Sequence, residues 1–202
     1  MLARSSTAAE RIDMDVRTDR VGLLLQQLTT SAEFSQARLA GLTDEEFLWE
    51  PVPGAWSVRR RGAGVTPDAF GAGEWQLDLA RPEPVPAPVA TIGWRVSHLV
   101  DCFAGRWEWT FGSRRIDPKE LVHFTPSAKE ALDRLWFEVG RWARDIESLT
   151  DDQLDTVGFG QYPRGLDPTL PIVAIVWWVN RELIHHTAEV ALLRDLYVRQ
   201  AA

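Results

Sequence analysis

Four stretches of the chain repeat apolar residues at helical spacing, and the segments between them are polar or rich in glycine and proline. The first has Val21, Leu24, Leu28 and Ala32 in register, with Leu25 and Leu39 nearby. Thr7-Ala8-Ala9-Glu10 reads as a capping box that opens this helix, and Gly41 as the stop beyond Leu39. Thr43-Asp44-Glu45-Glu46 reads as a second capping box on one short turn. A second long helix is predicted from Thr91 to about Phe111, where Ile92, Trp94, Val96, Leu99, Val100 and Phe103 make it apolar nearly all round. Such a helix is buried on more than one side. The third opens at a capping box, Ser127-Ala128-Lys129-Glu130, and carries one apolar stripe through Leu135, Val139, Trp142, Ile146 and Leu149. The last follows Asp167-Pro168, an N-cap with proline at the first helical position, and ends near Arg199.

Residues 59–90 form a long Gly- and Pro-rich connection ending in Arg81-Pro82-Glu83-Pro84-Val85-Pro86-Ala87-Pro88. A loop of this length inside a compact domain tends to be functional or mobile. Arg59-Arg60-Arg61 within it is read as a solvated cluster, with an anion site as the alternative. Without strand alternation or repeats, the pattern predicts an all-α fold, a four-helix bundle occupying residues 1–202 as one domain. Its two longest connections precede helices two and four.

Composition narrows the classes of function. The 202 residues carry a formal net charge of −7, which argues against a nucleic-acid partner. No apolar run approaches the ~18 residues of a membrane span, and Met1–Ser6 lacks the apolar core of a signal peptide. Cys102 is the single cysteine, so no intrachain disulfide is possible and a reducing, cytoplasmic setting is expected. Ten tryptophans are expected to fill the core and a helix face able to form a homodimer.

One feature breaks the apolar pattern. Glu182 and His186 lie four residues apart on the stripe continued from Ile175 and Val179. His98, on the line Trp94, His98, Cys102, also points inward. Inward ligands on facing bundle helices hold metals, and three ligands with positions left open is the catalytic arrangement. His98, Glu182 and His186 are therefore candidate metal ligands, the alternative being hydrogen-bonded core residues. His185 is a candidate proton carrier or a surface histidine, its ring directed away from that of His186. Glu189 is a candidate proton carrier or a support for the site, the alternative being a solvated carboxylate, and Arg194, five positions on, lies too far round the helix to pair with it. Cys102 is a remote fourth ligand. Ser57 and Ser97 lack a nucleophile-elbow context.

Leu42-Thr43-Asp44-Glu45-Glu46-Phe47-Leu48-Trp49-Glu50-Pro51, Gly54-Ala55-Trp56-Ser57-Val58, Thr91–Leu99 and Ile184–Tyr197 together resemble the DinB-like (YfiT-type) superfamily. That resemblance implies a four-helix bundle holding a divalent metal on three histidines, one from the second helix and two from the last. His98 and His186 match two of them, and Glu182 stands where many members have histidine. Zinc or nickel is implied, while the carboxylate also suits manganese or iron. Members include S-transferases using bacillithiol or mycothiol and a mycothiol-dependent maleylpyruvate isomerase. The expected activity is thus a metal-dependent, thiol-dependent transfer on a small molecule. A metal-dependent hydrolase and a metal-free binding or stress-response protein are the alternatives.

Overall fold

The computed structural model describes residues 17–160 and 169–200. The chain is all-α with one small hairpin. Its elements are α1 (Arg20–Leu39), α2 (Asp44–Leu48), β1 (Val58–Arg60), β2 (Trp75–Leu77), α3 (Ile92–Thr110), α4 (Pro118–Leu121), α5 (Ala128–Glu147), a 3-10 turn (Asp152–Asp155) and α6 (Ile172–Gln200). The principal contacts among the long helices run in a ring: α1 packs on α5 and α6, and so does α3. The first and second long helices, α1 and α3, and the third and fourth, α5 and α6, therefore face each other across the core. The two longest connections span those diagonals. Among the described residues, no helix is long and apolar enough to cross a membrane.

Cluster residues such as Leu28, Phe103, Leu135, Trp142, Val179 and Leu183, from all four long helices, form one buried apolar core. Of the tryptophans, Trp142 is wholly inside, whereas Trp177 is half exposed. Gly93 lets α3 approach α2, because a Cβ there would lie 3.0 Å from the Phe47 ring and carbonyl.

Helix starts are set by longer-range partners than local patterning suggests. α1 begins at Arg20, not near Thr7: Asp19 accepts from the Gly22 amide, and Asp151 accepts from the amides of Arg20 and Val21. Two carboxylates thus satisfy first-turn amides that no earlier helical turn could reach. Thr7–Glu10 and Asp167-Pro168 lie outside the described residues. Thr43 does cap α2, 3.2 Å from the Glu46 amide. Ser127 makes no side-chain cap bond. The Ala128 amide donates instead to Asp44 Oδ1 at 2.7 Å, while Glu130 accepts from Thr125 Oγ1.

Part of the 59–90 connection is also built rather than free. β1 and β2 pair antiparallel with Val58 opposite Leu77, and Trp56 bridges to Ala90. Asp78, 1% exposed, organises this segment by accepting from the Ser57 amide, Arg59 Nε and Thr66 Oγ1. The three arginines are already engaged: Arg59 with Glu50 and Asp78, Arg60 with Glu74, Arg61 with the Gly71 and Gly73 carbonyls. Their partners are internal: Arg60 and Arg61 lie at the surface as a solvated cluster would, whereas Arg59 is largely shielded against Asp78.

Candidate metal centre

The stripe on α6 continues through Ile175, Val179, Glu182, His186 and Val190, all buried. α3 packs directly against this helix and carries His98 opposite the two ionisable residues. Glu182 and His186 are each 7% exposed, and His98 sits at the rim with 29% of its side-chain surface accessible. Glu182 Oε2 lies 3.2 Å from His186 Nε2 and 3.6 Å from His98 Nε2. One ligand atom from each residue falls within 4.8 Å of the other two. Ligands ~2.1 Å from a tetrahedral zinc are separated by roughly 3.4 Å, so these spacings suit a single ion. His98, Glu182 and His186 can hold a metal ion.

The electrostatics prepare the donors. Burial alone would raise the Glu182 carboxyl; hydrogen bonds from His186, His98 and Arg181 outweigh it and hold the group well below the ordinary carboxylate range. Desolvation pushes His98 down from the ordinary histidine value despite its partial exposure, and the Glu182 carboxylate only partly opposes this. A neutral imidazole and an ionised carboxylate are the forms a cation needs.

Each histidine has its own support. His186 Nδ1 lies 2.6 Å from Glu189 Oε2, so a proton on Nδ1 would be held there, while Nε2 faces Glu182 at 3.2 Å. A ligand histidine whose other nitrogen is held by a carboxylate is a recurring metal-site arrangement. His98 stacks on Trp94, ring centres 5.0 Å apart and planes at 9°. Trp94 Nε1 donates to the Asp78 carbonyl at 2.8 Å, so the hairpin segment steadies the ring beneath His98.

His185 lies beside this group rather than in it. Its side chain is 60% exposed, its Nε2 is 3.7 Å from Glu189 Oε1, and its ring stacks on that of His186 at 4.7 Å. The expectation that the two rings diverge is corrected: the side chains bend toward each other over one shared carboxylate. Glu189 is no freely solvated carboxylate, because it also pairs with Arg95 at 2.7 Å. Arg194 turns instead to Glu46. Cys102 stays outside the ligand group, and burial pushes its thiol well up, which disfavours the thiolate a metal would need. Ser57 is 3.1 Å from Thr91 Oγ1, a structural role.

Sequence reasoning missed three contributors. Trp94 looked like core. Arg95 gave no local signal. Arg181 Nη2 holds Glu182 Oε1 at 2.6 Å and leaves Oε2 for the site.

A comparison with curated proteins and another with solved structures gave no significant match. A sequence profile described as the DinB superfamily matches residues 72–190, which includes His98, Glu182, His186 and Glu189. With more than half of its length inside that match and an all-α fold around it, the chain belongs to the DinB superfamily.

Proposed function

We propose that this protein is a metal-dependent enzyme that acts on a small molecule, transferring a low-molecular-weight thiol to or from an electrophile. The carrying observation is the convergence of three ligand atoms, with no fourth protein ligand in the group among the described residues. Zinc or nickel fits two imidazoles with one carboxylate, and manganese or iron is compatible with the same set. A divalent ion supplies Lewis acidity, lowering the pKa of a thiol or water that reaches it.

The chain's own residues do the rest. With an ion bound, His98 and His186 would turn Nε2 lone pairs to it in place of their contacts with Glu182, and Glu182 adds the charge that favours a cation. Trp94, with Trp56 5.8 Å away, forms an aromatic wall that keeps water from one side of His98. His185, exposed and beside Glu189, accepts or returns a proton at its Nε2 while the substrate enters from solvent.

A non-catalytic, metal-free protein is the second reading. It is favoured by Arg181, which with Arg95 balances the charges of Glu182 and Glu189 without any ion. Thermal melts with EDTA and with zinc separate the two. An ion at 100 times its dissociation constant stabilises by about 2.7 kcal/mol, or roughly 5–10 °C for a chain of this size. A melt indifferent to both additions favours the second reading. Turnover that needs added thiol identifies the transferase, and thiol-independent hydrolysis identifies a hydrolase.

A further inference from the structure

Arg95 has no role in the metal-dependent reading above, yet it touches the supports of both histidines. Its Nη1 lies 2.7 Å from Glu189 Oε2 and 3.3 Å from His186 Nδ1. Its guanidinium carbon lies 5.8 Å from the centre of the Trp94 ring, the ring that stacks on His98. Only 18% of its side chain is accessible, and Nε is buried without a hydrogen-bond partner among the described residues. A desolvated guanidinium with an unsatisfied nitrogen is a poor device for stability. It is also an odd neighbour for a cation site, where a positive charge opposes binding. What it does hold is Glu189. Without Arg95, that carboxylate has His185 Nε2, 3.7 Å from Oε1, as a competing partner exposed to solvent.

We propose that Arg95 is a positioning residue for the metal centre: it fixes Glu189 on His186 Nδ1, so that His186 presents Nε2 beside Glu182 and His98. This rests on the metal reading of the site. The tether joins α3 to α6 beside the same contact that brings His98 to Glu182. Neither helix alone could keep His186 in that ring orientation, since Glu189 is 31% accessible and has two histidines to choose between.

The test titrates cobalt into wild type, Arg95→Met, Arg95→Lys, Glu189→Ala and the Arg95→Met/Glu189→Ala pair, following ligand-field absorption. Circular dichroism checks folding. Loss of an outer partner of a metal ligand weakens binding about 10–100-fold. Arg95→Met and Glu189→Ala each fall in that range, Arg95→Lys recovers part of the loss, and the pair is no weaker than Glu189→Ala because Arg95 acts through Glu189. In the zinc-loaded protein, the His186 Nδ1 proton gives a slowly exchanging NMR signal that Arg95→Met loses.

The direction of the effect is decisive. An arginine acting only through its charge would do the opposite, since its removal would tighten cation binding. Affinity unchanged or raised in Arg95→Met, with the Nδ1 signal intact, overturns the proposal. Should Arg95→Met not fold, Arg95→Lys and Glu189→Ala decide: cobalt affinity equal to wild type in both overturns it. Wild type without cobalt bands overturns the metal reading itself, and this proposal with it.

Discussion

Substituting Arg194 by methionine removes a guanidinium that ties α6 to α2 and to the end of α1. Arg194 Nε lies 2.6 Å from Glu46 Oε1 and Nη2 lies 3.1 Å from Oε2, a two-point grip on a carboxylate in a residue 4% exposed. Nη1 also donates to the Arg38 and Ala40 carbonyls at 2.6 and 3.0 Å. With 16% and 5% of their side chains accessible, the pair is shielded enough that a surface ion-pair value does not apply. Removing one partner leaves the other charge buried, at a cost of about 3–5 kcal/mol. The two carbonyls can turn to water and add little. Against a typical stability of roughly 5–15 kcal/mol the loss is large, and it corresponds to a fall in Tm of roughly 6–20 °C. Urea and thermal unfolding followed by circular dichroism measure it, with an unchanged m-value showing that stability alone moved. Replacing both residues, as Glu46→Leu/Arg194→Met, should recover most of the loss, because an apolar pair leaves no stranded charge. A single mutant within about 1 kcal/mol of wild type, or a double mutant as unstable as the single, would refute this reasoning.

Two further predictions concern acid and thiol chemistry. In EDTA, stability should fall as pH drops through the ordinary histidine range, because His98 binds its proton more weakly folded than unfolded, and Glu182 adds a further loss only below the ordinary carboxylate range. Urea midpoints at pH 7.5, 6 and 5 check the sign, and replacing His98 should flatten the slope over that range. Cys102 should resist thiol reagents in the native protein and react on unfolding, since its thiol is buried and raised. Labelling at the rate of a small free thiol would contradict that.

What the sequence made legible was local. Glu182 and His186 stood out because helical spacing put two ionisable groups on an apolar stripe, and His98 because its own line pointed inward. Contacts between distant segments left no trace. Ser127 lost its capping role to Asp44, 84 residues from the amide it accepts. Arg194 found Glu46 at a separation of 148 residues, where a search along its own helix could not look. The Arg95–Glu189 pair joins two helices in the same way. β1 and β2 escaped notice because three-residue strands are too short to show alternation. The rings of His185 and His186 meet because side-chain torsions, not Cα directions alone, decide where an imidazole ends.

The site itself is tested most directly by metal content. Protein purified without chelators, analysed by elemental mass spectrometry after exhaustive dialysis, should carry about one divalent ion per chain, as a preformed three-ligand site requires. His98→Ala and His186→Ala should fold and lose nearly all of it. Wild type without metal even after zinc is supplied, or metal content unchanged in both mutants, would contradict the account.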